Sequence, residues 1–237
     1  MYQTHKIYIK ANMKMSGLIL ENPRLLLLME HLEMDFAVHE KTVEQLCKEY
    51  SVPVHLFILF ANLYNGFNPE DKDVISGEDI PVIIHFLKQN HNYYKTDKYP
   101  EIIGYIRKLQ DKTGNKEVRL IEKFFTDYFN EVLEHLDYED KVAFPYFATI
   151  AQYDQKPGSL AFSVKEYREH HTDIETKLTD LKNLLLKHIN ISDELSIRRK
   201  LILSLMELEY DLNIHSQIEE KILIPLVYNE ESKKSDA

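Results

Sequence analysis

The sequence predicts an all-α protein, an up-down-up-down four-helix bundle preceded by a small helical N-terminal domain. Three observations support this prediction. The 237 residues include only six glycines and eight prolines, which is a helix-friendly composition. Along four long stretches, apolar residues recur in steps of three and four, as on the buried face of an amphipathic helix. Short polar segments join these stretches, as in an antiparallel bundle.

Charge and cysteine content narrow the class of protein. The formal net charge is −10, so no basic surplus is available for phosphate contacts and we expect no nucleic-acid partner. Cys47 is the only cysteine, which excludes an internal disulfide framework and a cysteine-rich metal cluster. The N-terminus lacks the apolar core of a secretory signal, and no run of about 18 apolar residues could span a bilayer. We therefore expect a cytoplasmic protein with no membrane partner.

The chain divides into five predicted parts. The boundaries follow changes in polarity, proline and glycine content and apolar periodicity. The parts are an N-terminal arm (1–16), a small helical domain (17–66), a linker (67–78), the four-helix bundle (79–229) and a disordered tail (230–237).

Three helix starts define the small N-terminal domain. Asn22-Pro23 places a capping residue before a proline at the first helical position. Thr42 and Gln45 have the spacing of a capping box. Ser51-Val52-Pro53 opens the third helix, which we expect to end near Asn65-Gly66.

Each bundle helix is predicted from a stripe of apolar residues that should face the core. Pro100 is expected to kink or briefly break the first helix, and Phe144-Pro145 to end the second. The stripes are Ile80, Ile84, Leu87, His91 and Tyr94; then Ile121, Phe125, Tyr128, Val132, His135, Glu139 and Val142; then Val164, Tyr167, His171, Ile174, Leu178, Leu181 and Leu185; and finally Leu201, Leu205, Leu208, Leu212, His215, Glu219 and Ile222.

One motif occurs twice, 80 residues apart. His135, Glu139 and Pro145 form the first copy, and the same H-x3-E-x5-P pattern begins again at His215. Four residues make about one helical turn, so each histidine lies on the same helix face as its glutamate. Both pairs fall within an inward stripe, where a buried, ionised glutamate needs a partner such as a metal cation.

A single histidine precedes each copy on the helix before it. His91 precedes His135 by 44 residues, and His171 precedes His215 by the same number. His171 rather than its neighbour His170 lies on the inward line, so His170 is the reserve candidate. A lone histidine of this kind is more often a hydrogen-bonded core residue, but four histidines and two carboxylates on inward lines favour a metal centre.

Nitrogen and carboxylate ligands without thiolate suit iron, and also manganese or zinc. Two glutamates that could each bridge two ions favour a pair of irons, as in carboxylate-bridged bundle proteins.

This doubled pattern resembles the hemerythrin-like (HHE) di-iron domain, over roughly residues 78 to 230. It is most similar to the Repair of Iron Centres family, which repairs iron–sulfur clusters. The resemblance implies iron ligation by His91, His135, His171 and His215, with Glu139 and Glu219 as bridges. It also implies a function in nitrosative or oxidative stress, with NO, O2 or H2O2 as the small ligand and a damaged iron–sulfur protein as partner. Oxygen-carrying relatives use a fifth histidine and an aspartate as further ligands. Because no further histidine lies on an inward line of this sequence, the functions above are favoured over oxygen storage.

The N-terminal helices are similar, more weakly, to the small domain that precedes the di-iron bundle in those repair proteins. The family's paired-cysteine, glycine-rich segment is replaced here by Ala37-Val38-His39-Glu40-Lys41. Cys47 itself is predicted to be a small buried hydrophobe.

Two other functions stay open from the sequence. The bundle could be a non-catalytic sensor that binds oxygen or nitric oxide and signals through the N-terminal helices. It could also be a peroxidase or an NO reductase, which would need an electron donor. Whether the protein is an enzyme, and its oligomeric state, are left open.

Overall fold

The computed structural model describes residues 6–68, 75–114, 116–151, 175–187 and 193–235. In this part of the chain the secondary structure is helical, and its one β-type pairing is an isolated bridge between Lys14 and Thr42. The predicted all-α class is confirmed. None of the described helices is long and apolar enough to cross a membrane.

The chain divides into two compact units that both draw on distant parts of the sequence. The first unit comprises Met1–Gln89, Phe147–Leu160 and Ile214–Ala237, and the second comprises Asn90–Tyr146 and Ala161–Asn213.

Four short helices begin the first unit, whereas the sequence predicted three. The helix after Asn22-Pro23 begins at Leu25 with Arg24 as its N-cap, so Asn22 and Pro23 are not its cap and first helical residue. Thr42 accepts a hydrogen bond from the backbone of Gln45, and the Gln45 side chain accepts one from the backbone of Thr42, so the capping box is confirmed. The fourth helix ends at Asn65-Gly66, where Gly66 has a φ of 78°, a conformation that glycine adopts without strain. The helices are α1 (Met15–Glu21), α2 (Leu25–His31), α3 (Val43–Glu49) and α4 (Val54–Tyr64).

The segment before α1 is packed against α4. Ile9 is fully buried, whereas its neighbours Ile7 and Tyr8 are exposed. Its backbone N–H donates to Asn62 Oδ1 at 2.8 Å, and Asn62 Nδ2 donates back to the Ile9 carbonyl at 3.2 Å. A buried asparagine therefore satisfies both the N–H and the carbonyl of Ile9.

The remaining helices carry the candidate site residues. Three of them are interrupted by five-residue π-helical turns, here named π1 to π3. In chain order the elements are α5 (Ile80–Tyr93), π1 (Tyr94–Lys98), α6 (Tyr99–Thr113), α7 (Lys116–Tyr138), π2 (Glu139–Ala143), α8 (Phe144–Ala151), α9 (Glu175–Lys187), α10 (Leu195–Ile218), π3 (Glu219–Leu223) and α11 (Ile224–Ser235).

A proline follows each π turn at the same spacing: one residue separates the turn from Pro100, Pro145 or Pro225. Proline has no N–H to donate, and in a regular α-helix its ring would clash with the carbonyl four residues earlier. In each case the residue before the proline donates its N–H five residues back, as Phe144 does to Glu139. The wider turn avoids the clash, so the helix continues.

The prediction that the second bundle helix ends near Phe144-Pro145 is therefore wrong. The chain stays helical through π2 and α8 to Ala151. The inserted residue also changes which side chain faces inward. Val142, predicted on the inward stripe, is 40% exposed, whereas its neighbour Ala143 is fully buried.

The other described residues of the predicted stripes follow the expected pattern. Most are buried, including His91, Glu139, His215 and Glu219, while His135 is only slightly exposed. In the third stripe Leu178, Leu181 and Leu185 are buried, and the residues from Val164 to Ile174 lie outside the described part of the chain.

Helix α11 extends to Ser235, where the sequence predicts a disordered tail from residue 230. Glu230 accounts for this extension, because it is buried against Gly77, where an added Cβ would lie 2.9 Å from Glu230 Cδ. Lys233 donates to Glu230 at 2.6 Å across one helical turn.

Candidate metal centre

Five of the six predicted ligands lie in the described part of the chain. Each occurs at or near the start of a π turn. His91 lies three residues before π1, while His135 and His215 each lie four residues before a turn whose first residue is the paired glutamate, Glu139 or Glu219. The sixth, His171, and its reserve His170 lie outside the described residues.

Glu139 is the centre of the arrangement in the second unit. Its Oε1 lies 2.9 Å from Nε2 of His135, and its Oε2 lies 3.3 Å from Nε2 of His91. The carboxylate is fully buried. One buried carboxylate therefore directs its two oxygens towards two different imidazoles, which come from two separate helices.

The second copy of the motif has a similar local form in the first unit. His215 Nε2 lies 3.4 Å from Glu219 Oε2, across one helical turn of the junction between α10 and π3. Both side chains are buried. The spacing in the sequence therefore places imidazole and carboxylate side by side, as predicted.

Asp140 contacts His91 on the opposite side of the ring. Nδ1 of His91 lies 2.9 Å from Asp140 Oδ1, and Lys95 Nζ donates to Asp140 Oδ2 at 3.2 Å. The ring of Phe144 stacks on that of His91, with 5.5 Å between the centroids. A hydrogen bond from Nδ1 leaves Nε2 as the nitrogen that faces Glu139, and such outer contacts orient metal-binding histidines.

Sequence reasoning missed this contribution of Asp140. An acidic residue follows the glutamate directly in both motif copies, as Asp140 and Glu220, and this repetition was the available signal.

Charges in the second unit reinforce one another. Burial opposes the charged form of His91, but hydrogen bonds and charge interactions with Asp140 and Glu139 outweigh it and raise the pKa of His91 to about 9. Burial would raise the pKa of Glu139, yet hydrogen bonds from His135 and His91 hold it well below its usual value. In this cluster of His91, His135 and Glu139, the ionised carboxylate is stabilised by positive charge on the imidazoles. A metal cation would supply that positive charge instead, and the imidazoles would then bind it in their neutral form.

The donor set fits a metal ion. Described His and Glu residues of both motif copies belong to groups whose ligand atoms could hold a cation. Imidazole nitrogens and carboxylate oxygens without thiolate suit iron, manganese or zinc.

Cys47 offers no thiol chemistry. Its side chain is fully buried in α3, and this burial raises the pKa of the thiol to about 12. A thiol with so high a pKa is inert near neutral pH. The prediction of a small buried hydrophobe is confirmed.

Comparison with known proteins agrees with the geometry. The family model described as the hemerythrin HHE cation binding domain matches residues 82–227, more than half of the chain. This match includes both copies of the histidine–glutamate motif and the residues between them. A search of curated proteins found no match.

Proposed function

Because the chain belongs to the hemerythrin HHE cation-binding domain family, we propose that it binds a pair of non-heme iron ions and uses them to repair iron–sulfur clusters during nitrosative or oxidative stress. Family membership and the buried His and Glu groups support metal binding. The proposed ligands are His91, His135, Glu139, His171, His215 and Glu219.

The observation that carries the proposal is the position of Glu139. A fully buried carboxylate with each oxygen close to a different imidazole suits a bridging ligand. The two imidazoles offset the cost of burying this carboxylate, and a bound cation would take over that task. Glu219 stands at the matching position of the second copy, which supports a second bridge.

The proposed architecture is an up-down-up-down bundle in which the two halves contribute to one centre. Each half would supply one histidine from its first helix and a histidine–glutamate pair from its second. The equal spacing of 44 residues in the two halves supports this pseudo-symmetry. The family model, which extends across both halves, supports it as well.

The side chains around the first half have defined tasks in this proposal. Asp140 orients the His91 ring, and Phe144 covers its face. The π2 turn starts at Glu139, so the proline that causes the turn also fixes where the bridging carboxylate leaves the helix. Bound iron would supply Fe(II)/Fe(III) redox chemistry and affinity for nitric oxide or peroxide.

Repair in this proposal depends on the iron alone. The inert Cys47 and the absence of the family's paired cysteines remove a thiol as the reactive group. Imidazole and carboxylate ligands without thiolate suit Fe(II), the form of iron that would be donated to a damaged cluster.

The test is transfer of iron from the loaded protein to an iron–sulfur enzyme stripped of its cluster. We expect the protein loaded anaerobically with Fe(II) to restore activity of that enzyme, and the His135→Ala, His215→Ala double variant not to do so. Iron binding without transfer, together with a change in partner binding on exposure to nitric oxide, would favour a sensor instead. Sustained turnover of peroxide or nitric oxide with an electron donor would favour an enzyme.

A further inference from the structure

Two adjacent tyrosines of the second unit each donate a hydrogen bond to a carboxylate on helix α10. The hydroxyl of Tyr94 donates to Asp211 Oδ2 at 2.9 Å, and that of Tyr93 donates to Glu207 Oε1 at 3.0 Å. Asp211 and Glu207 lie four residues apart, on one face of α10. The tyrosine ring centroids are 5.7 Å apart. Each phenol therefore has its own proton acceptor and an aromatic neighbour.

The two pairs differ in their exposure to solvent. Tyr94 and Asp211 are both fully buried. Tyr93 is nearly buried, but the side chain of its partner Glu207 is 47% exposed. Lys98 pairs with Glu207 and lies 5.7 Å from the centroid of the Tyr93 ring. The two tyrosine–carboxylate pairs therefore form a series from the interior to the surface: Tyr94 and its acceptor are fully buried, whereas the acceptor of Tyr93 is exposed to solvent.

The buried end of this series lies next to a candidate ligand. Tyr94 is the first residue of π1 and follows His91 by three residues. Residues three apart on a helix are neighbours on its surface, with about 5–6 Å between their Cβ atoms. Tyr94 is thus the member of the pair that stands beside the metal ligand on the helix surface.

We propose that Tyr94 and Tyr93 form a relay that carries oxidising equivalents from the metal centre to the protein surface when hydrogen peroxide reacts there. This inference rests on the proposed redox-active iron. The relay would let excess oxidant leave the centre through two defined residues, in place of damage to the histidine ligands.

The chemistry balances as follows. With the iron already oxidised to Fe(III), the tyrosines and not Fe(II) supply the electrons. Hydrogen peroxide gains two electrons and two protons and its O–O bond breaks, giving two water molecules. Each tyrosine loses one electron towards the centre, and its O–H bond breaks as the proton moves to its carboxylate. The first radical forms on Tyr94. Tyr93 then gives it an electron, and Tyr94 regains its proton from Asp211. The second oxidising equivalent from peroxide oxidises Tyr94 again. The two protons gained by the carboxylates match the two that peroxide takes from solvent.

A one-electron reductant such as ascorbate restores the phenols. Each radical takes one electron from the reductant and regains its proton from the adjacent carboxylate. The carboxylates Asp211 and Glu207 are positioning residues in this scheme, because they act on the tyrosines and not on peroxide.

Rapid-freeze EPR spectroscopy of the full chain tests the relay. The protein is loaded anaerobically with Fe(II) and its iron content is measured. The iron is oxidised to Fe(III) with one equivalent of hydrogen peroxide per iron pair, and excess hydrogen peroxide is then mixed in. We expect a tyrosyl radical signal that Tyr94→Phe abolishes. In Tyr93→Phe the radical should form on Tyr94 but decay more slowly with ascorbate. Asp211→Asn, which keeps the phenol and removes the basic acceptor, should also lose the radical.

Two controls separate the relay from a structural role. Tyr128→Phe changes another buried tyrosine of the second unit and should leave the signal unchanged, and zinc-loaded protein should give no radical. A radical that persists in Tyr94→Phe, or iron-loaded protein that consumes peroxide without any tyrosyl radical, would overturn the relay but leave the proposed function intact. Failure to bind iron would contradict both.

Discussion

Nδ1 of His91 lies 2.9 Å from Oδ1 of Asp140, so the imidazole is held from the side opposite the nitrogen that faces Glu139. Hydrogen bonds of this kind fix the tautomer and the orientation of metal-binding histidines. Asp140, a partly buried carboxylate that the sequence analysis did not single out, therefore helps to orient the His91 ring beside Glu139.

Asp140→Asn is expected to weaken iron binding by about 10–100-fold, the usual effect of removing such an outer partner. The amide can still contact the ring but no longer supplies a negative charge. Competition with a chelator of known affinity measures the change. Asp137→Asn is the matched control, because Asp137 also accepts a hydrogen bond from Lys95. Equal affinities for the two variants would contradict the assignment.

The double variant His135→Ala, His215→Ala is expected to lose binuclear metal, since each substitution removes an imidazole from one copy of the motif. The apolar stripes that surround both positions are unchanged, so the helices should persist with reduced stability. Metal analysis and circular dichroism check the two parts separately. Retention of two metal ions per chain would show that the ligand assignment is wrong.

His171→Ala is expected to reduce metal content, whereas His170→Ala should leave it almost unchanged. The two residues lie outside the described part of the chain, so the choice between them stays a prediction from the helical line shared with Tyr167 and Ile174. Metal analysis of the two purified variants decides it, and the reverse result would assign the ligand to His170.

Pro145→Ala is expected to let the π2 turn relax towards a regular α-helix, because the restored N–H can bond four residues back. The Glu139 carboxylate would then leave the helix at a different angle, and iron affinity should fall although thermal stability does not. Pro53→Ala, at the start of α4, is the control for removing a proline. Unchanged iron affinity in Pro145→Ala would show that the π turn does not position the glutamate.

Glu101→Gln is expected to make the free energy of unfolding fall less steeply as the pH is lowered. Burial alone would raise the pKa of Glu101, but hydrogen bonds from Lys98 and Ser204 have the larger, opposite effect. The pKa of Glu101 is therefore below its usual value of 4.5. A carboxylate with a lowered pKa in the folded state stabilises above about pH 4.5 and loses this effect as pH falls through its folded pKa. Urea unfolding between pH 3 and 6 measures the slope, and an unchanged slope would refute the prediction.

Sequence periodicity predicted the described inward stripes well, because burial of an amphipathic helix leaves a clear mark at steps of three and four. The π turns were not predicted, because a proline within a helical pattern normally indicates a helix end or a kink. The helix continues here because the turn before each proline is widened. That widening moved the inward position from Val142 to Ala143.

Contacts between distant segments were beyond the sequence. The tyrosine–carboxylate pairs join residues more than 110 positions apart, as in Tyr94 and Asp211, and no local spacing predicts them. The His–Glu pairs were predictable because one helical turn joins their members. The boundaries between the predicted N-terminal domain, linker and bundle stay predictions.

The most direct test is Mössbauer spectroscopy with metal analysis on full-length protein loaded anaerobically with isotopically enriched Fe(II). We expect two iron ions per chain with nitrogen and oxygen ligands, and loss of the pair in the Glu139→Gln, Glu219→Gln variant. A single iron per chain, or a pair that survives in that variant, would contradict a carboxylate-bridged centre.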